Sequence, residues 1–191
     1  VEEDVCGRAA EVQKEIQFVK DRYDVACVLG DLLEAGELPL RVTHNDTKSN
    51  NVLMDNATGK GLCVIDLDTV MPGLAVNDFG DSIRFGASTG TEDEKDLSKI
   101  SCDMELYDIY TKGFVEGCSG ALTDMEIECL PIGAKVMTYE CGMRFLTDYL
   151  SGDTYFKIDY PTHNLDRTRT QLKLVWDMEQ KLSEMKAIVE K

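Results

Sequence analysis

The sequence predicts a mainly α-helical protein that carries a small β hairpin. Two observations indicate this class: apolar residues recur with helical spacing near both ends of the chain, and two short β-like runs flank a polar turn before its midpoint. With 191 residues, of which 43% are hydrophobic, the chain is long enough to bury one core. We therefore expect residues 1–191 to form a single domain.

The first predicted helix covers residues 8–37, where apolar residues follow the period of an amphipathic helix. Gly36 and Pro39 end this pattern. The residues that follow lack this helical spacing.

The region after the first helix is predicted to form short strands. Residues 40–42, 51–54 and 62–65 are β-like, and residues 55–61 have the composition of a turn. The second and third runs are therefore expected to pair as a hairpin.

Three further helices are predicted in the second half of the chain. The first covers residues 104–115, and a capping-box sequence at residues 123–126 starts another that reaches about residue 150. Pro131 marks a break or a kink in that helix. The last helix covers residues 164–189 and is expected to bury Leu172, Val175, Trp176, Leu182, Met185 and Val189.

Composition excludes several classes of function. Acidic residues outnumber basic ones, 36 against 20, and the resulting charge of −16 makes a nucleic-acid partner unexpected. No uncharged apolar stretch approaches the roughly 18–20 residues of a membrane span, and the acidic N-terminus is unlike a signal peptide. The seven cysteines include no C-x-x-C pair, so we expect reduced thiols that mostly fill the core, a cytoplasmic location and no zinc site.

The segment with the most chemical information contains His44-x-Asp46-x4-Asn51, followed by Asp66 at the end of an apolar run. An Asp at the start of a loop can accept a proton from a substrate hydroxyl, while an Asn at its end and an Asp on the next strand can bind one metal ion. The predicted hairpin would bring these side chains together. Mg²⁺ prefers such oxygen ligands and needs only one or two protein carboxylates when nucleotide phosphates are present.

This constellation resembles that of the aminoglycoside-phosphotransferase and choline-kinase superfamily, whose catalytic half is similar to that of protein kinases. More narrowly, residues 44–51, 64–74 and 77–84 resemble the N-acetylhexosamine 1-kinase branch, and the likeness continues through residues 144–150 and 164–167. The resemblance implies the C-terminal lobe of a protein-kinase-like fold, with ATP as co-substrate and Mg²⁺ as cofactor. It further implies that Asp46 is the catalytic base, that Asn51 and Asp66 bind Mg²⁺, and that His44 braces the loop.

Three other residues of this region have open roles. Lys48 is either a lysine near the transferred phosphate or a solvated loop residue. Asp68 is either a partner of the metal ligands, which we favour, or an occasional ligand itself. Asp78 begins an Asp-Phe-Gly tripeptide like the metal-binding one of protein kinases, but it lies far beyond the strand end. We therefore assign the metal to Asp66, and we expect Asp78 to cap a helix or to hydrogen-bond the catalytic loop.

Arg144 and Tyr155 are the candidate acceptor-binding residues. Arg144 lies on a largely apolar predicted helix, where a buried guanidinium needs oxygen acceptors, and similar positions of the sugar-kinase branch contact substrate. The alternative is an ion pair with Glu140 or Asp148, each four residues away. Tyr155 lies in the aromatic and charged stretch 151–163 and would either stack on a pyranose ring or pack within its loop.

The leading function is ATP- and Mg²⁺-dependent phosphorylation of a sugar hydroxyl, and the resemblance points to the anomeric 1-hydroxyl of an N-acetylhexosamine. One alternative is an aminoglycoside or choline-type kinase, and another is a non-catalytic nucleotide- or sugar-binding regulator. Nothing before Asp46 offers a glycine-rich phosphate loop or a strand lysine paired with a helix glutamate. We therefore expect an N-terminal nucleotide-binding lobe to be missing from this chain and the isolated fragment to be inactive.

Overall fold

The computed structural model describes residues 4–190. That part of the chain contains six α-helices and four short β-strands. The helices are α1 (Gln13–Lys20), α2 (Tyr23–Glu34), α3 (Ala75–Gly86), α4 (Met104–Gly117), α5 (Asp124–Leu150) and α6 (His163–Val189). The strands are β1 (Arg41–Thr43), β2 (Val52–Met54), β3 (Gly61–Val64) and β4 (Met71–Gly73). The prediction of a mainly helical fold with a small hairpin is confirmed.

The four strands form two separate antiparallel pairs. β2 and β3 make the predicted hairpin, with Val52 opposite Val64. β1 pairs with β4, so that Val42 lies opposite Pro72. The sequence does not reveal this second pair, because β4 has only three residues and one of them is a proline. Since β1 leads into the segment 44–51 and β2 follows it, the two pairs fix both ends of the candidate catalytic loop.

Helices α3, α5 and α6 supply much of the main core. Phe79 and Ile83 of α3 pack in one cluster with Leu130 of α5 and with Leu174 and Met178 of α6, and all five side chains are buried. Each of these residues falls on the apolar stripe of its helix. The core therefore fixes α3, which runs directly behind the segment 44–51.

A pair of glycines brings α3 and α5 unusually close together. A Cβ atom on Gly80 would lie 2.3 Å from the carbonyl oxygen of Gly133, and a Cβ atom on Gly133 would lie 2.4 Å from the carbonyl oxygen of Val76. Only residues without a side chain permit this backbone contact. The crossing limits how α3 can shift relative to α5.

The predicted first helix is in fact divided. A short 3₁₀ turn precedes α1, and the chain breaks between α1 and α2, where the guanidinium of Arg22 donates to the carbonyl of Phe18 and to Glu179 of α6. The break allows the two helices to face different clusters. Ile16 of α1 packs with Leu146 and Tyr149, whereas α2 contributes to the main core.

Helix α5 begins where the sequence predicts and ends at Leu150, as expected. The Thr123 hydroxyl accepts the N–H of Glu126, and the Glu126 carboxylate accepts the N–H of Thr123, which confirms the capping box. Of the break or kink predicted at Pro131, the break is absent, because α5 runs through this residue without interruption. Pro131 is buried at the side of the helix that packs on the core.

The prediction that Trp176 is buried is wrong. Its ring is 44% exposed, and the Nζ atom of Lys173 lies 3.8 Å from the ring centre. Val175 is buried, and the next residue of a helix lies about 100° further around the axis, which takes Trp176 off the buried stripe. Leu182 and Val189 are only half-buried.

All seven cysteines lie within the described residues and are free thiols, as predicted. The expectation that most of them fill the core is wrong, because only Cys102 and Cys129 are buried, while Cys6 and Cys63 are exposed. Cys6 precedes the first helical turn and Cys63 lies on the exposed hairpin, so neither position is covered by a helix. Between residues 4 and 190, no helix is both long and apolar enough to cross a membrane.

Candidate active site

The first turns of α3 hold the loop 44–51. The carboxylate of Asp78 accepts the backbone N–H of His44 at 2.7 Å and that of Asn45 at 2.8 Å. The hydroxyl of Thr47 donates to the backbone carbonyl of Asp78 at 2.6 Å. Of the two structural roles expected for Asp78, the hydrogen bond to the loop is the one that is present, since no side chain caps α3.

Asp81, one turn further along α3, also holds this loop, and the sequence analysis does not single it out. Its Oδ2 atom accepts the N–H of Thr47 at 3.0 Å, and its Oδ1 atom accepts Nε of Arg84 at 2.9 Å. Arg84 also donates to Glu92 at 2.7 Å. Burial alone would lower the pKa of Arg84, but these acidic neighbours raise it. The spacing of three residues between Asp78 and Asp81, which places both on one helix face, is the signal that could have identified Asp81.

The carboxylate of Asp46 is partly exposed and has two hydrogen-bond donors. Its Oδ2 atom accepts Nζ of Lys48 and Nδ2 of Asn51, both at 2.8 Å. Burial alone would raise the pKa of Asp46, but these donors hold it below its usual value. The carboxylate is therefore ionised at neutral pH and can accept a proton from a nearby hydroxyl.

Lys48 is neither buried nor fully solvated. Its side chain is 35% exposed and forms an ion pair with Asp46. The hydrogen bond to Asp46 raises the pKa of Lys48, and the negative charges of Asp66 and Asp81 add to this effect. A permanent positive charge therefore lies beside the candidate base.

The imidazole of His44 links two segments of the site. Its Nε2 atom lies 2.9 Å from the carbonyl oxygen of Ile65, and its Nδ1 atom accepts the N–H of Asp46 at 3.3 Å. Because a carbonyl oxygen can only accept, Nε2 is the donor in this hydrogen bond and Nδ1 is the acceptor in the other. The side chain thus connects the loop of Asp46 with the residue that precedes Asp66.

The candidate metal-site residues lie near the open end of the hairpin. The N–H of Ile65 donates to the carbonyl of Asn51 at 2.9 Å, which brings Asn51 beside the strand end that leads to Asp66. Asp66 is exposed and has a left-handed backbone with φ of 63°. Asp68 is also exposed, in the 3₁₀ turn Leu67–Thr69, and no described residue forms a hydrogen bond with its side chain.

These donors suit a magnesium ion. Both side-chain hydrogen bonds of Asn51 use Nδ2, so its Oδ1 oxygen is available, and Asp66 adds a carboxylate. An amide oxygen and a carboxylate are ligands that Mg²⁺ prefers. Within residues 4–190, no group of three His, Cys, Asp or Glu side chains is arranged to hold a metal ion. Water and nucleotide oxygens would therefore have to complete the coordination shell.

A cavity of about 630 Å³ lies beside Asp46 and Lys48. Arg144 of α5 and Tyr155 of the following loop line the same cavity. The structure therefore brings the candidate base and both candidate acceptor residues to one space, although they are about 100 residues apart in the chain. The residues that line this cavity do not include the candidate metal-site residues Asn51, Asp66 and Asp68.

The expectation that Arg144 is a buried guanidinium is wrong. Its side chain is 48% exposed, because this side of α5 faces the open cavity. Of the two alternative ion pairs, the one with Glu140 is present, with Nε 3.7 Å from Oε1. The guanidinium carbon lies 5.8 Å from the ring centre of Tyr155 and 5.5 Å from that of Phe156. Tyr155 is 73% exposed, so it is not packed inside its loop. Both side chains are accessible to a molecule in the cavity.

The cavity has a nearly balanced set of charges. Its carboxylates are Asp46, Asp81, Glu92 and Glu140. Its basic side chains are Lys48, Arg84, Arg144, Lys157 and Arg167. Burial raises the pKa of Glu140, and the charges of Arg144 and Arg84 oppose this effect. The lining therefore has no surplus of negative charge, in spite of the acidic composition of the whole chain.

A sequence model of the phosphotransferase enzyme family matches residues 1–103. The match covers more than half of the chain and includes all four strands and α3. It thus contains every candidate catalytic and metal-site residue. It ends before α4, so Arg144 and Tyr155 lie outside the matched region.

Proposed function

The chain belongs to the phosphotransferase enzyme family, and from this premise we propose that it is the catalytic and acceptor-binding part of an ATP- and Mg²⁺-dependent sugar kinase. The observation that carries the proposal is the cavity of about 630 Å³ that Asp46 shares with Arg144 and Tyr155. This volume lies within the range of small-molecule sites, roughly 300–1,000 Å³. A single sugar can therefore contact the base and both acceptor residues at once.

In the proposed reaction, Asp46 accepts the proton of the acceptor hydroxyl. The hydroxyl oxygen bonds to the γ-phosphorus of ATP, the bond from that phosphorus to the bridging oxygen breaks, and ADP leaves. Lys48 supplies positive charge beside the transferred group. Asn51 and Asp66 would hold Mg²⁺, which offsets negative charge on the phosphates when it is bound.

The charge balance of the cavity favours a neutral acceptor over a polycation. An aminoglycoside carries several positive charges and would be bound best by a surplus of carboxylates. The cavity instead offers four carboxylates and five basic groups, which can accept from and donate to sugar hydroxyls. We therefore favour a sugar over an aminoglycoside as the acceptor.

Aromatic residues are the one feature that favours a choline-type acceptor, because quaternary ammonium groups bind to aromatic faces. Phe85, Phe145, Tyr155 and Phe156 line the cavity. However, guanidinium groups already lie near three of these rings: Arg167 is 5.4 Å from the centre of Phe145, and Arg144 approaches Tyr155 and Phe156. A second cation would be repelled there, whereas a pyranose can stack on the exposed ring of Tyr155.

The resemblance of residues 44–51, 64–74 and 77–84 to N-acetylhexosamine 1-kinases supports GlcNAc or GalNAc as the acceptor and the 1-hydroxyl as the site of phosphorylation. The sequence of this chain contains no glycine-rich loop before Asp46. We propose that an N-terminal lobe of the same protein supplies the remaining ATP contacts, so that the 191 residues alone are inactive.

The test is an acceptor panel with the full-length protein, ATP and Mg²⁺. GlcNAc, GalNAc, glucose, an aminoglycoside and choline are compared by the ADP that they release. Phosphorylation at the 1-hydroxyl removes the reducing end of the sugar, so the reducing-sugar signal should fall in step with ADP formation. Phosphorylation at another hydroxyl would leave that signal unchanged.

We expect turnover with an N-acetylhexosamine and loss of its reducing end. Turnover with choline or the aminoglycoside alone would replace the proposed acceptor by one of the alternatives. Binding of a sugar without any ADP release would instead indicate a regulator.

A further inference from the structure

One buried carboxylate binds the loop between α5 and α6. The Oδ1 atom of Asp148 accepts the backbone N–H groups of Thr154 at 2.9 Å and Tyr155 at 2.8 Å, and its Oδ2 atom accepts that of Phe156 at 2.9 Å. Asp148 is only 5% exposed. Three consecutive backbone groups of the loop therefore converge on a side chain that belongs to helix α5.

Asn164, at the start of α6, extends this network. Its Nδ2 atom donates to Oδ2 of Asp148 and to Oδ1 of Asp153, both at 2.9 Å. Asp153 has a left-handed backbone with φ of 58° and forms an ion pair with Arg8 at 2.5 Å. Such a conformation is uncommon for a residue other than glycine, and these contacts hold it in place. The loop is thereby attached to both long helices and to the N-terminal segment.

The ionisation of Asp148 strengthens this attachment. Burial alone would raise the pKa of Asp148, but the N–H groups of Phe156, Tyr155 and Thr154 and the amide of Asn164 hold it below its usual value. The side chain is therefore a carboxylate at neutral pH. Hydrogen bonds to a charged acceptor are stronger than those between neutral groups.

Tyr155 and Phe156, which we call the aromatic wall, line the cavity of Asp46, whereas Asp148 lines a separate cavity of about 510 Å³ that the aromatic wall also borders. We propose that Asp148 is a positioning residue of the acceptor site, which acts by fixing the backbone from which the aromatic wall projects. The inference deepens the proposed function and rests on it, because the aromatic wall can contact an acceptor only if the acceptor occupies this cavity. The expected consequence is an effect on acceptor binding that exceeds the effect on ATP binding.

The test is Asp148→Asn in the full-length protein. The amide keeps the shape of the side chain, but it replaces one accepting oxygen by an NH₂ group that faces N–H donors. We expect the KM for N-acetylhexosamine to rise about tenfold or more, because displacement of a positioned group by a fraction of an ångström to 1 Å is costly. The KM for ATP should change by less than about threefold, as expected when only acceptor contacts are lost.

The matched control is Glu126→Gln at the other end of α5. Glu126 is also a buried carboxylate, and it accepts the N–H of Thr123 and the guanidinium of Arg41. This variant should lower the melting temperature without raising the KM for the sugar. Asn164→Ala removes one donor to Asp148 and should raise the sugar KM by a smaller factor, and it serves as the test if Asp148→Asn does not fold.

Hydrogen exchange gives a second readout that needs no substrate. Backbone N–H groups of residues 154–156 should exchange faster in Asp148→Asn, while those of α5 and α6 stay protected. If the wild-type enzyme phosphorylates the sugar and the sugar KM is unchanged in both Asp148→Asn and Asn164→Ala, the positioning role of Asp148 is overturned. The proposed function would still stand. A wild-type protein that phosphorylates no sugar would overturn the proposed function, even if the exchange of residues 154–156 responds as expected.

Discussion

The Nε2 atom of His44 donates a hydrogen bond of 2.9 Å to the carbonyl oxygen of Ile65. Since Nδ1 of the same ring accepts the N–H of Asp46, one side chain fixes the distance between the loop of the candidate base and the strand end before Asp66. Asp78 and Asp81 of α3 also hold the loop, and the N–H of Ile65 donates to the carbonyl of Asn51. The imidazole adds the side-chain link that joins the loop of the candidate base directly to the strand end before the candidate metal ligand.

Replacing His44 by Ala is expected to lower kcat of the full-length protein about 10–100-fold, the usual cost of losing a group that orients metal-site residues. His44→Gln should recover part of this loss, because its amide can still donate to the carbonyl of Ile65. Steady-state kinetics at saturating ATP and sugar measure the effect. A kcat for His44→Ala equal to that of wild type would show that the loop keeps its position without the imidazole.

Asp46→Asn should reduce kcat by roughly 10²–10⁴ while nucleotide affinity is retained, because the change removes a proton acceptor and leaves the metal ligands in place. Kinetics and a titration with a nucleotide analogue separate the two properties. Asn50→Ala, which changes a cavity residue without a carboxylate, is a suitable comparison. If Asp46→Asn kept kcat within about threefold, a general-base role would be excluded.

Asp66→Ala should increase the Mg²⁺ concentration needed for half-maximal activity, since it removes the only carboxylate that we assign to the metal. Asp78→Ala should instead lower the free energy of unfolding by roughly 1–3 kcal/mol, because it leaves two loop N–H groups without their acceptor. Activity as a function of Mg²⁺ concentration and urea unfolding of both variants measure these effects. If Asp78→Ala raised the required Mg²⁺ concentration and Asp66→Ala did not, the metal site would be assigned to Asp78 instead of Asp66.

Features that depend on neighbouring residues in the chain could be predicted from the sequence. The capping box at Thr123 and Glu126 needs only a spacing of three, and the hairpin needs only two β-like runs around a turn. His44, Asp46 and Asn51 are similarly local, because one loop carries all three. The sequence alone could therefore indicate these three residues as candidates for one site.

Features that depend on distant segments could not be predicted in the same way. The pairing of β1 with β4 joins residues about 30 apart, and its short strands carry little pattern of their own. Asp148 looks like a potential partner of Arg144 because the two are four residues apart on a helix. In the structure its oxygens face the returning loop, and only the fold decides that the backbone N–H groups of residues 154–156 arrive there.

Thiol reactivity should follow burial of the cysteines. Loss of hydration raises the pKa of Cys102, which is buried, and of Cys141, which is half-buried, to about 12, so at pH 8 only roughly one thiol in 10⁴ is ionised. Cys6 and Cys63 are exposed. Because the thiolate is the reactive form, iodoacetamide should label Cys6 and Cys63 first, and Cys102 and Cys141 only after unfolding. Peptide mapping by mass spectrometry measures the order, and labelling of Cys141 as fast as Cys63 in the folded protein would contradict it.

The surroundings of Asp177 indicate that the free energy of unfolding depends on pH. Its Oδ2 atom accepts the N–H of Cys102 at 2.8 Å and the hydroxyl of Ser101 at 3.1 Å, and Nζ of Lys181 lies 2.7 Å away. Burial alone would raise the pKa of Asp177, but these donors hold it below its usual value. The ionised carboxylate thereby ties the segment before α4 to α6.

A carboxyl group whose pKa is lower in the folded state stabilises that state above its unfolded pKa of about 4, and this contribution is lost as the pH falls through the folded pKa. Asp177→Asn should therefore lower the free energy of unfolding at pH 7 by roughly 1–3 kcal/mol. The difference from wild type should shrink below about pH 4, because the wild-type side chain then becomes neutral as well. Urea unfolding between pH 7 and about pH 2.5 measures both values, with Asp31→Asn on the exposed side of α2 as the control. A destabilisation by Asp177→Asn that stays constant over this whole range would show that the charge of Asp177 contributes nothing to the attachment.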